Sequence, residues 1–505
     1  MGFFFLVVCA VGILRPIKNT LALDGLGATD FYRVYLVSAA AVLVVPPYNR
    51  LADRVSARWL IPGAAFFFAA NLLLFRALYV EGSAAYGMLF YGWYDLFSAA
   101  LVTQFFMATQ RFFDARSAKR AYPMIVAGGA VGATLGGAIT AMAAQAWGAP
   151  NLMLVAAALI TVFGIGLPLV WAAEPERLLR PGLTRVERIT PAGFREVFAS
   201  RQVRLIAAGV LLTVVVKQLI DYQFNVVSLE VFQTRDAVAA FQGRFNAATQ
   251  WIPIVVVIAL RPAMSRWGVS TAVLLLPALM LVTTFGVAIW GTLAAVVSAK
   301  AAETSLRYSA ERTGREILYV PVPDEIKLKA KAYIDVAVEK GAGKVVAAGL
   351  IAALISVGGT RAVGWAAFAL CLAWMAAALA IRREYVRTLA DAIRGRTASF
   401  RGLNASMAGV GARGAVGAAL RSNDPLQTAF ALEMVEQAGA AEVGAFGERL
   451  HALLAHPSDV IRARAARVLA LDPSAVDGAR VRAAVEDPAR EVREAAVGAL
   501  CAARP

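Results

Sequence analysis

The chain has 505 residues, 59% of them hydrophobic and only 17% charged, with a mean hydropathy of +0.63. That is too apolar for a soluble protein of this length, whose apolar share stays near half, so a soluble enzyme is excluded. The net charge of +16 is read as arginine and lysine gathered in the cytoplasmic loops of a multi-spanning membrane protein, and no nucleic-acid polymer is expected as a partner.

The apolar excess sits in blocks about 20 residues long, enough to cross ~30 Å of hydrocarbon at 1.5 Å per residue. They fall near 3–23, 31–48, 59–80, 84–110, 123–146, 151–173, 203–228, 239–260, 268–285, 287–306, 330–356 and 362–382. The opening run "MGFFFLVVCAVG" lacks a basic n-region and a small-residue cleavage site, and reads as a retained first helix. The stretch "VSTAVLLLPALMLVTTFGVAIWGTLAAVVSA" reads as one long span or two short ones.

The loops decide between these. "NRLADRVSARW" (49–59), "RFFDARSAKR" (111–120), the stretch 174–204, "RPAMSRWG" (261–268) and "RYSAERTGREI" (307–317) are arginine-rich. "LDGLGATD" (23–30), "VEGSAAYG" (80–87), "WGAPN" (147–151) and "VGGTRAVG" (357–364) carry almost no arginine. Alternation requires every block to cross once, which predicts an all-α protein of twelve membrane helices with both termini cytoplasmic.

The loop from Glu174 to Arg204 holds Pro175, Pro181 and Pro191 and divides the helices six and six. This arrangement resembles the major facilitator superfamily, two parallel-related halves with substrate at midplane between them. "NRLADRVSARW" is similar to that superfamily's loop between the second and third helices, with Asp53, Arg54 and Arg58 matching and Asn49 in place of a usual glycine. The expected division is 1–175 for the first half, 176–204 for a linker, 205–385 for the second half, 386–420 for a second linker and 421–505 for a repeat domain.

The repeat rests on Pro425, Pro457 and Pro488, spaced 32 and 31 residues apart, and on Arg462/Arg493, Ala465/Ala496 and Leu469/Leu500 at the 31-residue interval. Proline at a helix start followed by a small and aliphatic stripe resembles HEAT-like stacked helix pairs, with a period shorter than the usual ~40. Ile461, Ala465, Val468, Leu469, Val492, Ala496 and Leu500 are expected to face its core. Arg462, Arg464, Arg467 and Arg493 are expected on polar faces, for an acidic protein partner or for solubility.

Cys9, Cys371 and Cys501 form no CxxC, and His451 and His456 lie outside the apolar region, so neither metal nor cofactor is expected. No hydrolase constellation appears. "EKGAGKVV" (339–346) fails the phosphate-loop pattern at Val338 and Val345. Gly128, Gly132 and Gly136, four apart in the fifth segment, read as a close helix-packing stripe rather than a nucleotide loop.

What remains is charge inside apolar helices, where each cation costs a few kcal/mol or more. Arg15 and Lys18 are three apart and share a face with Pro16 between them. Lys217 and Asp221, four apart, also share a face, as an ion pair of structural use or as part of a site. In "KLKAKAYIDVAVEKGAGK" (327–344) the first lysines belong to the cytoplasmic end, whereas Lys340 and Lys344 lie deeper and call for a cavity. Cations from both halves with few buried acids imply an anionic, phosphorylated or carboxylated solute.

"LRPIKNTLAL" resembles the first-helix motif of the ATP/ADP translocase family, the nucleotide transporters of obligate intracellular bacteria and plastids. "AKRAYP" (118–123) is similar to the family after the fourth helix, and "RYSAERTGREILYVPVPDEIKLKAKAYIDV" (307–336) matches in register at Arg307, Tyr308, Ser309, Arg315, Glu316, Tyr319, Pro321, Lys327, Lys329, Lys331, Ala332 and Asp335. The resemblance spans most of 1–385 and implies a major-facilitator-like carrier, not an enzyme, that exchanges or imports nucleotides by alternating access. Matching the family's first-helix lysine, Lys18 would attract phosphates; substrate contacts are expected from it with Arg15 and Asn19 in the first half, and from Lys217, Asp221, Gln223, Arg307, Lys340 and Lys344 in the second. Loop and gating roles fall to Asp53, Arg54, Arg58, Lys119, Arg120, Arg315, Glu316, Lys331 and Asp335.

The sequence departs from the family where acids are expected: Gln110 or Arg111 stands near the end of the fourth helix, and Gln223 in the seventh, with Asp221 about 200° round the helix from it. Arg312 replaces an aspartate. The substrate therefore stays open between ATP/ADP and another nucleotide or phosphorylated metabolite. The alternative is a degenerate carrier that anchors or gates the tail as a membrane-tethered sensor; the intact charged set favours transport.

Overall fold

The computed structural model describes residues 1–44, 47–48, 55–112, 115–173, 197–253, 255–256, 269–306, 312–319, 322, 324–394, 410–422 and 424–503. Among the described residues there is no strand, as expected where hydrocarbon leaves backbone polar groups to be satisfied within each segment. Seven helices among them are long and apolar enough to cross a membrane, in Gly2–Asp30, Arg58–Ala77, Ala121–Trp147, Ala149–Val170, Arg201–Phe232, Val273–Trp290 and Lys329–Tyr385.

An N-terminal group holds α1 (Gly2–Asp30), α2 (Arg33–Ala40, continued by a 3-10 turn to Val44), α3 (Ala57–Ala77), α4 (Ala84–Phe112), α5 (Ala115–Trp147) and α6 (Leu152–Ala173). A C-terminal group holds α7 (Arg201–Phe232), α8 (Arg235–Thr249), α9 (Val269–Trp290), α10 (Leu293–Leu306), α11 (Arg312–Leu318) and α12 (Asp324–Tyr333). It ends in a π-helical stretch, Ile334–Ala342, that runs into α13 (Gly343–Arg394). The stretch that loop alternation divides into separate ninth and tenth spans forms two helices, α9 and α10, parted at Gly291 with φ +58°, a conformation glycine adopts readily. α13 is broken in the same way at Gly358 and Gly359.

The glycine stripe of α5 packs on the backbone of α1. A Cβ on Gly132 would stand 2.4 Å from the carbonyl oxygen of Phe5, and one on Gly136 2.4 Å from that of Cys9. Small residues are what let two backbones approach so closely. Along α1, Pro16 removes one helical donor. The carbonyls of Val11 and Ile13 accept from Tyr94 Oη at 3.1 Å and Thr140 Oγ1 at 3.3 Å, tying the α1 backbone to α4 and α5 just ahead of Lys18.

The two groups meet where α5 crosses α8: a Cβ on Gly137 would lie 2.7 Å from the Gly243 carbonyl oxygen, and the reverse distance is also 2.7 Å. At the arginine-poor end a polar latch joins them. Arg235 of α8 reaches Glu81 at 2.7 Å and Asp24 at 3.4 Å, and donates to Tyr79 Oη. Asp236 accepts from the Ala149 amide at 2.8 Å, and Tyr222 Oη donates to the Ala28 carbonyl at 2.8 Å.

Beyond α13, α14 (Val410–Ala419), α15 (Pro425–Ala438), α16 (Ala440–Leu453), α17 (Asp459–Leu469), α18 (Gly478–Ala483) and α19 (Arg490–Ala502) pack on one another as short neighbouring helices. Ile461, Ala465, Val468, Leu469, Val492 and Ala496 are buried, and Leu500 is partly so. The apolar core is continuous with the ends of α7 and α13 through Ile206, Ile381, Tyr385, Val416 and Leu420. Pro425 opens α15 after the Asp424 cap, but Pro457 and Pro488 each lie one residue ahead of the capping position.

The tail arginines, expected on polar faces for an acidic partner or for solubility, are mostly engaged within the stack itself. Arg462 donates to the His456 and Pro457 carbonyls, and Arg493 to the equivalent Asp487 and Pro488 carbonyls. Arg462 also grips Asp487 with two bonds of 2.7 and 2.9 Å. Arg464 pairs with Glu433 and Glu436, each at 3.3 Å. Three of the four are thus engaged in the stack, and Arg467 is exposed.

Candidate substrate cavity

A cavity of about 400 Å³ lies between the two groups, walled by α1, α2, α4, α7, α8, α10 and the π-helical entry to α13. Six basic residues line it, Arg15, Lys18, Lys217, Lys300, Lys340 and Lys344, against three acids, Asp95, Asp221 and Glu339. The volume suits a small organic ligand.

On the α1 side, Lys18 is 9% exposed. Its ammonium donates to Asp95 Oδ1 at 2.7 Å and stands 3.9 Å from the Tyr91 ring centre and 4.6 Å from that of Tyr94. Two aromatic faces and a carboxylate replace the water that burial removes. Asp95 Oδ2 accepts from Ser38 Oγ and from Lys344 Nζ, the latter at 3.3 Å, and Lys344 also donates to Ser38. One carboxylate therefore holds a lysine from each group.

On the opposite wall Asp221 is shared by Lys217, at 3.8 Å, and by Lys300, which is closer. Lys300 is 4% exposed and also pairs with Glu303 at 2.8 Å. Arg15 interacts electrostatically with both systems. A line of carboxamides crosses between them. Asn19 donates to Gln242 at 3.0 Å, Gln242 to Asn225 at 2.9 Å, and Asn225 to the Asp221 carbonyl at 2.7 Å.

At one mouth Arg315 reaches Glu339 at 2.8 Å and Asp335 at 3.8 Å, while Lys331 pairs with Glu316. The four motif residues of this region thus come together, and through Glu339 they adjoin the cavity.

Of the residues expected to meet substrate, Arg15, Lys18, Asn19, Lys217, Asp221, Lys340 and Lys344 line the cavity. Gln223 does not: it is buried against the second part of α13 and donates to the Thr360 carbonyl at 3.3 Å. It sits two residues from Asp221, which turns it to the far side of α7. Arg307, Asp53 and Arg54 lie outside the described residues, as do the side chains of Gln110, Arg111, Lys119 and Arg120. Arg58 is exposed at the start of α3, 5.7 Å from the Trp59 ring centre.

Acids at and beside the cavity are each held by a lysine or arginine: Asp95, Asp221 and Glu339 are partly buried, and Glu303 is buried. Asp95, Lys300 and Glu303 escaped the sequence reading, although each interrupts an apolar run, in "YGWYDLFSAALV" and "VSAKAAETS".

Residues 287–385 match the family model described as TLC ATP/ADP transporter. The match covers less than half of the chain and holds α10 to α13, which supply Lys300, Lys340 and Lys344. No curated protein matches. Among solved structures, a point mutant of the nucleoside transporter NupG is 12% identical with a TM-score of 0.56, over 76% of this chain and 98% of that one. The same transporter without the mutation gives 0.54 at 13% identity, over 76% and 97%. An auto-inhibited peptide transporter of the POT family gives 0.51 at 12% identity, over 76% and 96%. Likeness at this level shows the fold alone, one shared with these multi-pass membrane transporters.

Proposed function

We propose that this protein is a membrane carrier that exchanges or imports nucleotides, or a closely related phosphorylated anion, by alternating access. The observation that carries the reading is the cavity between the two groups, with twice as many basic as acidic residues in its lining. Phosphates are bound by lysine as a point charge and by arginine in bidentate fashion. In the resting state Asp95 occupies Lys18 and Lys344 together. An entering phosphate takes both lysines, which draws the two groups onto the same ligand and gives a physical route to occlusion. No bond is made or broken in the solute, so the protein is a carrier and not an enzyme.

In this reading the chain crosses a bacterial inner membrane twelve times with both termini cytoplasmic, and 1–175 and 205–385 are the two halves. Segments 176–204 and 386–420 are linkers, and 421–505 is a HEAT-like accessory domain that offers a surface to a protein partner. The arginine alternation of the loops supports the orientation. The test is counterflow: proteoliposomes loaded with unlabelled ATP or ADP accumulate labelled nucleotide transiently. Absence of accumulation with every nucleotide and phosphorylated metabolite tried, by protein that is folded and inserted, overturns the reading.

A further inference from the structure

We propose that the α7–α8 wall of the cavity is a subsite for a planar nucleobase, with Gln218 reading the edge of the base and the paired rings of Phe224 and Phe245 forming the apolar wall beside it. The inference rests on the nucleotide reading above and assigns the part of the ligand that the cations leave unexplained. Gln218 lines the cavity, is 3% exposed and makes no hydrogen bond to any described residue. Its carboxamide opens into the cavity, where water or a ligand completes its hydrogen bonds.

Beside it the carboxamide line has a fixed direction. Asn225 donates to a backbone carbonyl, which can only accept, so the orientation of Asn225 is set, and with it those of Gln242 and Asn19. Each amide has two N–H groups and the line uses one of each, leaving donors and the Asn19 oxygen for a ligand. The Phe224 and Phe245 rings, 4.9 Å apart and inclined at 46°, line the same wall. Neutral planar groups that both donate and accept, set against aromatic faces, add little for an inorganic phosphate. They match a heteroaromatic ring whose edge alternates donors and acceptors. The cations then take the phosphates, and Gln218, free to turn over, takes the edge of the base.

The test compares two probes on the purified full-length protein: ATP, and inorganic tripolyphosphate, which has the phosphates and no base. Gln218→Leu is expected to weaken ATP binding about tenfold, as for loss of a hydrogen bond or two, and to leave tripolyphosphate binding unchanged. Lys18→Gln weakens both. An equal loss for the two probes in Gln218→Leu, or no loss for ATP, overturns the subsite while leaving nucleotide transport standing. A wild-type protein that binds tripolyphosphate but none of ATP, GTP, CTP and UTP overturns the nucleotide reading itself, and the subsite with it. Should Gln218→Leu fail to fold, Gln218→Asn, which withdraws the amide by one methylene, gives the same comparison.

Discussion

Lys18 meets its carboxylate at 2.7 Å and two aromatic rings within 5 Å, so a substrate must outbid Asp95 rather than water. Replacing Lys18 by Gln removes one charge-assisted contact worth about 1.5–3 kcal/mol. Nucleotide binding should weaken about ten- to a hundredfold, measured by equilibrium binding in detergent. Asp95→Asn acts in the opposite sense: it releases Lys18 and Lys344 for phosphate, so affinity should rise while exchange slows, because the carboxylate no longer helps to expel the ligand. Weaker binding in Asp95→Asn would show that the aspartate only positions the lysines. Lys18 was legible in the sequence because a cation amid apolar residues is a costly anomaly. Asp95 is the same anomaly with the sign reversed, but a lone acid has no spacing to pair it with Lys18, 77 positions away. Gln218 and Gln242 carry no charge, and nothing in a linear pattern separates them from surface amides. Gln223 was misplaced because it was read from a family position rather than from the face of α7 it shares.

At the scale of the element, the expected apolar segment near 287–306 corresponds to α10, and those near 330–356 and 362–382 to the π-stretch with α13 on either side of its break at Gly358 and Gly359. The π-helical winding of Ile334–Ala342 was not legible, since "IDVAVEKGA" satisfies an ordinary helical period equally well. Its wider turn sets Asp335 and Glu339 towards Arg315 and brings Lys344 to Asp95. In the tail the 31-residue interval was legible, whereas the job of its arginines was not: Arg462 and Arg493 fold back on the loop carbonyls that precede their own helices. Arg462→Ala should destabilise the stack by about 1.5–3 kcal/mol, seen as faster amide hydrogen exchange in α17–α19 with α1–α8 unchanged. The Arg462 guanidinium, helped by the Ala489 amide, holds the Asp487 carboxyl below its ordinary value of 3.8. The folded stack therefore binds fewer protons than the unfolded chain there. This contribution is present above the ordinary carboxylate range and is lost as the pH falls below it. In Arg462→Ala that part of the acid sensitivity should diminish.

Taken whole, the molecule is fastened at its arginine-poor end by Arg235 on Glu81, Asp24 and Tyr79. Arg235→Ala should loosen that closure. In a Cys501→Ser background, where Cys9 and Cys371 are buried, spin labels at Ser83→Cys and Gln233→Cys should show a distance distribution shifted to longer values. An unchanged distribution would mean that packing of α1 and α4 against α7 and α8 keeps this end shut without the latch.

The bare contact of Gly137 with Gly243 has a mechanical consequence. With only the small side chains of Thr140 and Ala247 beside the contact, α5 and α8 can pivot on each other with little to unseat at the crossing, which behaves as a fulcrum. From Gly137 to Ala115 the arm is about 33 Å at 1.5 Å per residue, so a roll of about 10° swings its far tip by about 6 Å. The other arm, towards Trp147, is less than half as long and moves the opposite way. Leverage of this kind turns a small tilt, biased by which partner holds two lysines, into a doorway at one end and a seal at the other.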